Sequence, residues 1–122
     1  MPNHTSRTRH ALFFPAMGTG PARQWQPAVD VYRLTDGWLL KFELAGVPPE
    51  DVTVAAGGRR VVVRGARVDR CVEVGYAVHQ LEIAYSGFER VVELPDEIDP
   101  AAVRTEFSHG MLLVHVRQGP PR

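Results

Sequence analysis

From Trp25 onward, apolar residues recur at every second position, and no stretch of ten or more residues keeps a helical period. A period of two sends successive side chains to opposite faces of an extended chain, so the sequence is held to strands with one dry and one wet face. WLLKFEL is the clearest case: Trp38, Leu40, Phe42 and Leu44 share one face, and Leu39, Lys41 and Glu43 the other. Such runs return about every 8 to 12 residues with glycine and proline between them, which predicts an all-β fold, a two-sheet antiparallel β-sandwich.

The punctuation sets the connections. AVDVYRL is followed by TDG at 35–37, and the Asp-Gly pair that tight hairpins favour predicts an antiparallel pairing with WLLKFEL. Pro48 and Pro49 remove two ladder donors and end that run, with Glu50 and Asp51 suited to a turn. Val52 and Val54, then Val61 and Val63, flank Gly57 and Gly58, whose tolerance of positive φ predicts a second hairpin. In GFERVVELP, Phe88, Arg90, Val92 and Leu94 share one face, and Pro95 stops the run. DEIDP reads as a solvated acidic turn. AVRTEF and MLLVHV form the last pair around a corner at Ser108, His109 and Gly110, the glycine giving the backbone freedom to turn tightly.

Three stretches break the rhythm. Residues 1–24 are basic and rich in proline and glycine, with one apolar knot at Leu12, Phe13 and Phe14; they are expected to be a flexible arm. Residues 66–80 mix charges with β-branched residues and read as a loop holding one strand. The tail at 118–122 is poor in sheet formers, leaving 25–117 as the folded domain.

The 122 residues suit one domain able to bury roughly two-thirds of its unfolded surface without a staple. Lys+Arg 14 balances Asp+Glu 14, which argues against nucleic acid or an anionic membrane as partner. No apolar run approaches the roughly 20 residues that span a bilayer. Arg7, Arg9 and His10 precede ALFFPAM as in a signal peptide, but that stretch is short and broken by Pro15. With a single cysteine, Cys71, a cytoplasmic location is expected.

A search for chemistry yields little. Gly57 and Gly58 lack the Gly-Lys-Ser/Thr of a phosphate cradle. Ser108 and His109 are adjacent, and neighbours in extended chain point apart, so no direct hydrogen bond is expected between them. His79, His109 and His115 carry no metal-binding spacing, and Asp96, Glu97 and Asp99 lack that of a calcium loop. Cys71 has only Arg70 beside it to favour a thiolate. No catalytic residue, metal or cofactor is expected, and the chain is not read as an enzyme. More telling is a surplus: Leu39, Val91, Met111 and Leu113 lie opposite the inner sets, more apolar surface than one core absorbs.

At this point the residues resemble a family. WQPAVDVYRLTDGWLLKFELAGVPPEDVTV, FERVVELPDEIDP and HGMLLVHV are similar, in order and spacing, to the α-crystallin domain of small heat-shock proteins, over about residues 25–117. The resemblance implies the same β-sandwich and an ATP-independent holdase that captures partly unfolded proteins and limits their aggregation. Gly110 and Leu112 match the family's hallmark, which implies Leu112, Val114 and Val116 facing the core and Met111 and Leu113 facing outward.

It also implies a homodimer by strand exchange, in which the segment from Arg70 through Val72, Val74 and Tyr76 to Val78 crosses to Val29, Val31 and Tyr32 of a second subunit, with Arg90 paired to an acidic group at the interface. Clients are expected in a groove lined by Val52, Val54, Val103 and Phe107, with possible further contacts from Leu12, Phe13 and Phe14. Two departures stand out. Glu82 and Tyr85 fit the family's Tyr-x-Arg-x-Glu-x-x-Tyr-Gly pattern, whereas Val78, Gln80 and Ser86 replace its Tyr, Arg and Gly. The sequence shows no Ile-x-Ile motif in RQGPPR, so dimers or small assemblies are expected instead of large cages. The rival reading is a p23-like adaptor on the same sandwich, a class that usually lacks the exchange loop.

Overall fold

The alternation is realised as strands with one sealed face. The computed structural model describes residues 25–70 and 73–118. Among them the strands are β1 (Val29–Leu34), β2 (Gly37–Glu43), β3 (Val52–Gly57), β4 (Arg60–Ala66), β5 (Gly87–Glu93), β6 (Val103–Ser108) and β7 (Met111–Arg117). They form two antiparallel sheets, ordered β1-β2-β7-β6 and β3-β4-β5. Helical structure among the described residues is limited to 3-10 turns at Pro49–Asp51 and Pro100–Ala102.

The core lies between the sheets. Phe42 stands opposite Leu112 and Leu40 opposite Val114 in the first sheet, and Val61 opposite Val92 in the second. Leu40, Phe42, Leu44, Val61, Val63, Phe88, Val92, Leu112, Val114 and Val116 form one buried cluster. Each such side chain contributes about 1.5–3 kcal/mol by leaving water. Met111 and Leu113 stay half-buried on the other face of β7, as alternation requires.

The hairpin joining β6 to β7 turns on two residues of positive φ, His109 at 52° and Gly110 at 80°. That is the geometry whose twist matches paired strands, and glycine adopts it without strain. The Gly110 carbonyl accepts from the Leu44 amide at 2.8 Å, which clips the hairpin tip to the end of β2. This turn corrects the expectation for its neighbours. Ser108 Oγ lies 3.1 Å from His109 Nδ1, within hydrogen-bonding distance, because a left-handed residue does not follow the alternation of extended chain.

DEIDP also differs from the solvated turn expected. Ile98 is buried in the core. Its amide donates to the Gly58 carbonyl at 2.7 Å, and the Leu94 amide donates to Arg59 at 2.8 Å, so this connection is strapped across the β3–β4 hairpin tip. Glu97, Asp99 and Pro100 face water, and Asp99 caps the following turn through the Ala101 amide.

The sheets are unequal, four strands against three. Val31 of β1 pairs with Leu40 and shares its inward face, yet Val31 is 42% exposed and Leu40 is 0% exposed. The second sheet does not reach far enough to cover it. Residues 66–80 were expected to hold one strand beyond β4, and none is present among the described residues of 67–80.

Candidate interaction surface

Two apolar regions remain open. The first is the outer strand β1, an edge whose Val31, Tyr32 and Leu34 are exposed. Val29, expected beside them, is instead half-buried against the core opposite Phe42. The second region is the long connection from β4 to β5. Val74 is fully exposed, and Tyr76 and Val78 are 65% and 59% exposed.

Leu81 and Ile83 are as open as these residues and were not singled out from the sequence. A signal was there. Val74, Tyr76 and Val78 alternate in one parity and Leu81, Ile83 and Tyr85 in the other, with the step between them at His79 and Gln80.

Charged residues anchor the loop to its own subunit. Arg70, expected at an interface, pairs with Asp51 at 2.6 Å just before β3. Arg90, expected to meet an acidic group, donates to the Pro27 carbonyl at 3.0 Å and holds the segment leading into β1. At the base of the loop, the Arg67 guanidinium lies 3.6 Å above the Trp25 ring. Trp25 in turn packs edge-on against Phe88, centroids 5.1 Å apart. Val72 and Cys71, like Leu12, Phe13 and Phe14, lie outside the described residues.

The expected groove residues sit on β3 and β6, the edge strands of the two sheets. Val54, Val103 and Phe107 pack half-exposed against the core, while Val52 is buried within it. An edge strand leaves a row of amides and carbonyls unpaired, so each offers a ladder to an extended chain as well as apolar side chains.

Polar groups are organised for support. On the outer face of the first sheet, Glu106 Oε1 lies 3.6 Å from Arg104 and 3.6 Å from His115 Nε2, a buried atom without a hydrogen bond. Arg64 and Glu89 pair across β4 and β5 at 2.8 Å. Among the described residues no three His, Cys, Asp or Glu side chains gather as metal ligands, and no helix is long and apolar enough to cross a membrane.

Comparison with known proteins points one way. The model of the Hsp20/alpha crystallin family matches residues 30–122. A heat shock protein of Dictyostelium discoideum is 28% identical over 102 residues, 82% of this chain and 24% of its own length. Small heat shock protein C2 of Rickettsia felis is 24% identical over 90 residues, 74% of this chain and 58% of its own. This chain therefore spans less than two-thirds of the length of either relative. Among solved structures, heat shock protein 16.0 from Schizosaccharomyces pombe superposes with a TM-score of 0.72 at 26% identity, covering 78% of this chain and 88% of that one.

Proposed function

Because this chain belongs to the Hsp20/alpha crystallin family, we propose that it is a holdase that binds partly unfolded proteins without ATP and suppresses their aggregation. The observation that carries the reading is exposed apolar surface beside open sheet edges: Val31, Tyr32 and Leu34 on β1, and Val74, Tyr76, Val78, Leu81 and Ile83 on the loop. A protein that must accept many unfolded chains has no fixed shape to recognise. It can offer only what all such chains share, extended backbone seeking hydrogen bonds and apolar side chains seeking cover. Holding such chains removes the species that aggregates, and this needs neither a bond made nor a nucleotide spent.

The same features divide into two roles. The run from Val74 to Val78 serves a second copy of the chain by adding a strand to its β1 edge near Val31 and Tyr32, which makes an isologous dimer. Pairing of this kind would cover Val74, Tyr76 and Val78 of one subunit and the exposed β1 edge of the other at once. The margin of the sandwich at Val54, Val103 and Phe107, floored by Val52, serves clients.

The test is direct. A heat-labile enzyme such as citrate synthase is warmed with and without an equimolar amount of this protein, in the absence of ATP, and scattering is followed. Suppressed scattering is expected; scattering that is undiminished rejects the holdase reading and favours an adaptor on the same fold.

A further inference from the structure

The Arg67 side chain joins three segments far apart in sequence. Its guanidinium lies 3.6 Å over the Trp25 ring and 5.7 Å from that of Tyr85. Its Nε donates to the Ala84 carbonyl at 2.9 Å and its Nη1 to the Ala45 carbonyl at 3.2 Å. The backbone repeats the pattern: the Arg67 amide donates to the Ser86 carbonyl at 2.9 Å, while the Trp25 amide donates to Ser86 Oγ at 3.0 Å.

We propose that Arg67 is a coupling residue, through which the placement of the chain at Trp25 and the closure of the loop base at 84–86 depend on each other. A planar guanidinium can stack by its faces and donate along its edge at the same time, so one group satisfies ring and carbonyls together. Loss of any one contact frees the group that makes the others. Trp25 is where the 24 preceding residues join the sandwich, and 84–86 is where the loop bearing Val74, Tyr76 and Val78 rejoins it. Movement at either place is therefore felt at the other, and the effect must be reciprocal because it is a free-energy coupling between two positions. The inference concerns contacts within one chain and stands whether or not the protein is a holdase.

The experiment reads both directions. In a Trp38→Phe background Trp25 is the sole tryptophan. Arg67→Ala should then move its emission to longer wavelength and raise acrylamide quenching roughly twofold, as a ring released to water requires. In the reverse direction, Trp25→Ala should speed hydrogen exchange of the Arg67 amide roughly tenfold, while amides of Phe42 and Val114 at the sheet centre keep their protection. The double variant should exchange no faster than the faster single variant.

Should Arg67→Ala also loosen the sheet centre, Arg67→Lys is read in its place. It keeps stem and charge but cannot both stack and bridge two carbonyls, so the same shifts are expected. Trp25 emission that ignores the loss of Arg67, an Arg67 amide that ignores the loss of Trp25, simple additivity in the double variant, or a lysine variant matching the parent would each overturn the proposal.

Discussion

A β-carbon placed on Gly37 would overlap the carbonyl oxygen of Val116, one position along β7 from Arg117, the strand partner of Gly37. Gly37 also has a φ of 151°, which side-chain-bearing residues rarely adopt. Replacing it with alanine must shift the end of the first sheet where β2 begins beside β7, and Gly37→Ala is expected to cost about 2–4 kcal/mol in urea unfolding. Gly57→Ala is the control. Nothing lies within 4 Å of a β-carbon there and its φ is not positive, so stability should hold or rise by about 0.4–1 kcal/mol.

Phe42 is 0% exposed at the middle of the core, and Val91 is 47% exposed on the outer face of β5. Phe42→Ala leaves a large cavity and should lower the unfolding free energy by about 3–5 kcal/mol. Val91→Ala should change it by no more than about 0.5 kcal/mol, since water already touches that side chain.

The Arg64–Glu89 pair is short but both side chains are well exposed. Solvent screens such a pair, so Glu89→Gln should alter stability by under about 1 kcal/mol, and the difference should shrink further as salt is added.

Tyr76→Ser with Val78→Ser alters side chains that do not support the sandwich of their own subunit. The unfolding transition of dilute protein should hardly move, within about 0.5 kcal/mol. Sedimentation velocity should show weaker association than in the parent if these residues meet a second subunit. Association unchanged across a concentration series would place the subunit contact elsewhere.

Much of the sandwich was legible because alternation and burial report the same thing. Leu40 and Phe42 fall on the inner face by parity, Leu112, Val114 and Val116 share one parity that the family resemblance assigns to the core, and the hairpin tips follow from glycine at 37, 58 and 110. What escaped has a common cause. The Ser108–His109 contact depends on a positive φ that alternation cannot show. The burial of Ile98 depends on amides reaching Gly58 and Arg59, about forty residues earlier in a chain whose loop closure is entropically inexpensive at that length. The Arg67 contacts join 25, 45 and 84, a convergence that exists only after two sheets have stacked. The two parities of Val74–Val78 and Leu81–Tyr85 were visible in the letters, but the change of parity across His79 and Gln80 hid the second run.

The shortfall of the three-stranded sheet beneath β1 has one more consequence. Val31 points the way a core residue points, yet it meets water there. A separate partner that covered it would engage the native chain and not the denatured one, and by mass action would raise the melting point in proportion to the logarithm of its abundance. Were that partner a second copy of this chain, concentration would become a structural parameter, as much as any side chain in it.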